Sequence, residues 1–174
     1  NGMQIGSANA DRSGTTGTIS GNTITSLSFE NSVYGATGIM MRQTGDMTVT
    51  DTTVSGPANG LGSVAGISVY EGKAGSTFSI SGNSFENVDY GIFNEFVQGT
   101  INLAIGENDF SGAVYATLDS HGSTPYCDTA SVITLNSSHV PANNSKLLYL
   151  LFDGNDSFSD TGSVASAVYG GGGN

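Results

Sequence analysis

The sequence predicts an all-β solenoid, a chain of short strands wound coil upon coil, and three observations carry that prediction. A phrase with the pattern apolar–Ser–Gly–Asn–x–apolar, or a close variant of it, recurs at similar intervals. Apolar residues hold fixed offsets on either side of its polar turn. No stretch has the apolar period of an amphipathic helix, which sets aside ankyrin, tetratricopeptide and related helical repeats. The clearest copy is Phe78 to Asn94, FSISGNSFENVDYGIFN, read as strand, tight turn, strand, glycine and a third strand.

The first apolar column runs Ile19, Val49, Ile80, Ile105 and Leu135, in steps of 30, 31, 25 and 30 residues. Self-similarity at this period belongs to solenoids, propellers and arrays, and propeller blades need longer, hairpin-joined repeats. Two residues earlier stand Met47, Phe78, Leu103 and Ile133, so apolar side chains alternate and line one face. The intervening Thr48, Ser79, Ala104 and Thr134 are expected to point outward. Asn22, Thr52, Asn83, Asn108 and Ser138 occupy the turn in register. Asn tolerates left-handed backbone there, and its amide can bond along a stack of like turns. Beyond the turn the chain is apolar again at Ile24, Val54, Phe85, Phe110 and Val140. A second strand column is expected at Ile39, Ile67, Ile92 and Val114.

These residues resemble the parallel β-helix repeats of the pectate-lyase-like, right-handed β-helix superfamily, in the pattern G-N-x-[IF] followed by [YA]-G-I, from about Thr18 to Val140. The resemblance implies a right-handed parallel β-helix of roughly five to seven coils, each contributing to three short parallel sheets. It also implies an asparagine ladder through Asn22, Asn83 and Asn108, interrupted at Asp51-Thr52 and Ser137-Ser138. The superfamily spans lyases, hydrolases, epimerases, tailspikes, adhesins and surface fibres, so the likeness implies a fold and no single activity. The expected organisation is one β-helix domain over 1–169. It comprises regular coils over 1–140, an irregular capping or interface region over 141–169, and a flexible Gly-rich tail over 170–174.

Composition agrees with many short strands and turns. Of 174 residues, 26 are Gly and only 11% are charged, with Ser, Thr and Asn filling the polar positions, as in β-rich extracellular proteins. Net charge is −11, from 15 acids against 4 Lys plus Arg, which argues against nucleic acid or an anionic membrane surface as partner. No run is long and apolar enough to be read as a transmembrane helix. Gly2-Met3-Gln4-Ile5 already has the form of a repeat strand, so the sequence is expected to begin inside a repeat, as a processed product or a piece of a longer chain. Cys127 is the sole cysteine and is expected to be an ordinary thiol. The sequons at Asn136, Asn143 and Asn155 would accept glycans in a secreted eukaryotic protein.

Two features depart from regular coils. The segments between turn and glycine strand shorten along the chain, from Ser26–Thr37 and Ser55–Ala65 to Glu86–Tyr90 and then Ser111-Gly112. Such insertions gather on one side of a solenoid, through simple tolerance or because that side binds something. Further on, Leu147, Leu148, Tyr149, Leu150, Leu151 and Phe152 are continuously apolar where a strand should alternate. That run needs cover on both faces, either from residues 163–169 folding back or from a neighbouring subunit, and it is the candidate assembly interface.

Candidate chemistry is sparse. With the glycine strands in register, Tyr70, Phe93 and Tyr115 form an expected outward aromatic strip, flanked by Arg42, Glu71, Glu95 and Asp119. Aromatic faces beside acids suit sugar rings, making this the candidate glycan-binding face. Glu71 with Glu95, or Glu95 with Asp119, could meet the carboxylate spacing of a glycosidase, yet nothing sets them apart from ordinary surface acids. No lyase motif surrounds Arg12, Arg42, Lys73 or Lys146, and His121 and His139 are isolated, so no catalytic residue is assigned. Asp153, Asp156 and Asp160 are the best calcium candidates, but Phe158 stands where an EF-hand loop needs glycine. No cofactor is expected beyond that weak calcium possibility. An array of Thr23, Thr25, Thr48, Thr50, Thr52 and Thr53 stops at Ser79, Ser81 and Ser84 of the next coil, which removes an ice-binding reading.

The sequence therefore predicts an extracellular or cell-surface module, structural or interaction-forming, whose solenoid ends self-associate into a fibre or oligomer or meet neighbouring domains of a longer chain. The alternative is a carbohydrate-active enzyme or its polysaccharide-binding fragment.

Overall fold

The computed structural model describes residues 1–7, 15–28, 35–58, 64–95, 101–120, 131–135, 148–151, 157–160 and 167–170. Among them there is no helix, and all strands pair in parallel. In chain order the strands are β1 (Met3–Gly6), β2 (Gly17–Ser20), β3 (Thr23–Ile24), β4 (Ala36–Arg42) and β5 (Met47–Thr50). Next come β6 (Thr53–Ser55), β7 (Val64–Tyr70), β8 (Thr77–Ser81), β9 (Ser84–Glu95) and β10 (Ile101–Ile105). The last five are β11 (Asp109–Ser120), β12 (Ser131–Leu135), β13 (Leu148–Leu151), β14 (Ser157–Asp160) and β15 (Ala167–Gly170).

Strands that follow one another at the repeat period are neighbours in space. One sheet has the order β14-β12-β10-β8-β5-β2. A second runs β1-β4-β7-β9-β6-β3, with β11 also on β9. The long β9 joins its two arms, pairing β6 through Ser84–Glu86 and β7 through Tyr90–Glu95. A chain that crosses the first sheet and both arms of the second, then returns one strand over, makes a curled parallel sheet that fits a β-solenoid.

The first sheet realises the expected columns: Ile19 lies opposite Val49, Val49 opposite Ile80, Ile80 opposite Ile105 and Ile105 opposite Leu135. Met47, Phe78, Leu103 and Ile133 form the second column of that sheet. Alternation explains it, since the residues of β10 are buried, exposed, buried, exposed and buried in turn. Val49, Phe78, Ile80 and Leu103 are buried, as are Ile39, Ile67 and Ile92 from the far side of the coil. Val54 and Phe85 pair across β6 and β9, and the ring of Phe110 stacks on Phe85 with centroids 5.2 Å apart. Met3 lies opposite Ile39, so Gly2-Met3-Gln4-Ile5 does take a repeat-strand position.

Two expectations change. The fourth coil was aligned on Val114, but β11 places Thr117 opposite Ile92, and Val114 is 48% exposed. Phe110 to Thr117 spans the same interval as Phe85 to Ile92, so with the two rings stacked, pairing that resumes the same offset after an irregularity at Gly112 brings Thr117 into register. Backbone pairing, shifted at Gly112, overrides the side-chain match, and the fourth coil is no shorter than the third there. The second change lies in the C-terminal part. It carries β14, with Phe158 opposite Ile133 and Asp160 opposite Leu135, so the first sheet continues beyond residue 140. Leu148–Leu151 pair with Ala167–Gly170, which makes Gly170 part of a strand and leaves 171–174 outside the described residues.

The turn column is a continuous ladder. Asn83 Nδ2 donates to Ser81 O and Val49 O at 3.0 Å each, and Asn108 Nδ2 donates to Gly106 O at 3.1 Å and Ile80 O at 3.0 Å. In return, Asn108 Oδ1 accepts from the Asn83 backbone N–H at 3.0 Å, and Asn83 Oδ1 accepts from that of Thr52 at 3.1 Å. The expected break at Asp51-Thr52 does not occur. Thr52 Oγ1 donates to Thr50 O at 3.1 Å and accepts from the Asn22 N–H at 3.4 Å, a hydroxyl replacing an amide with one donor fewer. The residues before Asn22, Thr52 and Asn83 are left-handed, Gly21 at φ 67°, Asp51 at 53° and Gly82 at 69°. Asp tolerates this conformation better than most L-residues. Ser137-Ser138, the other expected interruption, lies outside the described residues.

A second column is steric. At Gly38 a Cβ would lie 2.5 Å from both Gly66 O and Val54 Cγ1, and at Gly66 one would lie 2.5 Å from Gly91 O. The glycines let successive backbones stack at the bend where β4 and β7 turn against the core.

Three substitutions check this account. Asn83→Ala strands the Thr52 N–H and two carbonyls in a buried corner and is expected to cost about 2–4 kcal/mol in denaturant unfolding. Thr52→Ala, which removes a single hydroxyl, is expected to cost about 1–2 kcal/mol. Gly38→Ala is expected to destabilise by about 1–3 kcal/mol through backbone overlap, and an unchanged midpoint would contradict the crowding.

Candidate functional site

The most developed polar cluster lies where β4 and β7 end. Arg42 and Tyr70 are cross-strand partners, and each precedes a left-handed residue, Gln43 and Glu71, both at φ 52°. Left-handed backbone disfavours such side chains, by about 1–2 kcal/mol each. The corner is held by the Gln43 N–H donating to Tyr70 O at 3.0 Å. The side chains close over it. Gln43 Nε2 donates to Glu71 Oε2 at 2.6 Å, Arg42 Nε lies 3.6 Å from the same oxygen, and the guanidinium sits 4.8 Å from the centre of the Tyr70 ring. Glu71 is half-buried and directed toward the preceding coil by these contacts.

The expected aromatic strip is therefore only partly assembled. Tyr70 lies opposite Glu95 and carries Arg42 on its ring. Phe93 lies opposite Ser68 and Leu118, and its ring stacks on Tyr90 with centroids 5.6 Å apart. Tyr115 lies opposite Tyr90. The three aromatics thus occupy three different register positions: Tyr70 stands two residues beyond the level of Phe93, and Tyr115 three before it because β11 is displaced from the alignment on Val114. Glu95 lies opposite Ser120, and Asp119 opposite Asn94, so neither Glu71 and Glu95 nor Glu95 and Asp119 are directly paired. The side chains of Tyr115, Glu95 and Asp119 lie outside the described residues.

Other candidates fall mostly beyond the description. Leu148, Tyr149, Leu150 and Leu151 form β13, which pairs in parallel with β15 of the C-terminal residues, while Leu147 and Phe152 lie outside the described residues. Asn136, Asn143, Asn155, Asp153 and Asp156 lie outside the described residues, as do Cys127, His121 and His139. Asp160 ends β14. Among the described residues, no group of three or more His, Cys, Asp or Glu side chains is placed to hold a metal ion. No helix among them is long and apolar enough to cross a membrane.

A shallow groove of about 460 Å³ opens beside the stepped loops. Pro57, Ala58 and Val64 of one coil, Val88 and Asp89 of the next, and Ala113 and Val114 of the third line it. Asp89 Oδ2 accepts from the Val64 N–H at 2.7 Å, pinning the start of β7 to the following coil. The sequence reading located this side of the coil through its insertions but missed Val114, which it placed in the core. It also missed Gln43 and Tyr90. A signal existed for Gln43, since Arg42-Gln43 and Tyr70-Glu71 stand in the same register at the ends of equivalent strands.

Comparison with known proteins finds no matching family model, no matching curated protein and no matching solved structure.

The cluster's contacts are partly exposed, so its strength is modest. Glu71→Ala is expected to lower stability by about 0.5–1.5 kcal/mol, with the loss shrinking at high salt. A salt-independent loss above about 3 kcal/mol would mean that Glu71 is a buried structural acid.

Proposed function

We propose that the chain is a right-handed parallel β-helix that serves as a structural or interaction module outside the cell or at its surface, self-associating through its solenoid ends. The observation that carries this reading is the state of the first strands. Among the described strands, β1, β2 and β3 each lie at a sheet edge or arm end, and none contains Lys, Arg, Asp, Glu or Pro, so this coil suits stacking on a further coil from a second copy or from a neighbouring part of a longer chain. Monomeric β-proteins normally protect such edges with charges, proline or bulges, because an unpaired row of N–H and C=O groups templates another strand. The parallel columns and polar turns support the β-helix, and the superfamily resemblance of the sequence supports its right hand. The scarcity of charge and abundance of Ser, Thr and Asn support an extracellular setting.

Polysaccharide recognition draws less support. Its proposed aromatic platform is engaged internally, Tyr70 by Arg42 and Phe93 by Tyr90. Size-exclusion chromatography with light scattering, together with negative-stain microscopy, tests the proposal: oligomers or fibres are expected at high protein concentration. A compact monomer throughout, combined with release of shortened or unsaturated products from acidic polysaccharides, would replace it with the enzymatic reading.

A further inference from the structure

We draw no further inference here: the strongest candidate, the shallow groove beside the stepped loops that Val64, Val88 and Val114 line from three successive coils, is bordered by residues 59–63 outside the described residues, and nothing in the structure shows what covers it.

Discussion

A buried turn that cannot use water must satisfy its polar groups from the coil above or below it, and that requirement governs this molecule. Each coil turns sharply between the first sheet and the β3/β6 arm. Thr52, Asn83 and Asn108 are all buried there. An unpaired amide at such a site costs about 1–3 kcal/mol, so the coils are confined to the register in which each corner reaches the backbone of its neighbour. Apolar stacking alone is less selective. Val49 packs about as well beside one isoleucine as another, but the N–H of Thr52 has one oxygen to meet, Oδ1 of Asn83. The ladder fixes register, and the columns of Ile, Val and Phe supply the burial.

That division explains what could be read from the sequence. The first-sheet columns were legible in full because a period-2 strand beside a marked turn leaves one alignment. Thr52 was legible as a corner residue but not as a ladder member, since the pattern was sought in asparagine and the chemistry required only an acceptor and a donor. Val114 was misplaced for the opposite reason. Ala113-Val114 looked like the glycine-strand pair, whereas the true partner of Ile92 is the buried Thr117, which no hydrophobic pattern reveals. Asp160 hid the continuation of the first sheet in the same way, by standing where Leu135 and Ile105 lead one to expect an apolar residue.

The candidate site was legible as a list of residues and not as an arrangement. Tyr70 and Phe93 were rightly placed on equivalent strands, but their rings are taken by Arg42 and Tyr90, partners that sequence spacing does not single out. Glu71 is likewise drawn toward Gln43 and Arg42. What emerges is a flank whose polar and aromatic groups mainly serve one another.

The central claim is that the corner ladder, more than the apolar columns, sets the register of the coils, and amide hydrogen exchange at Thr52 tests it most directly. In the native protein the Thr52 N–H should exchange only on global unfolding, although it lies in the turn between β5 and β6 and donates to a side-chain oxygen, Oδ1 of Asn83. In Asn83→Ala it should exchange by local opening while Val49 and Ile80 remain protected. Exchange of the Thr52 N–H at loop rates in the unmodified chain would contradict the account.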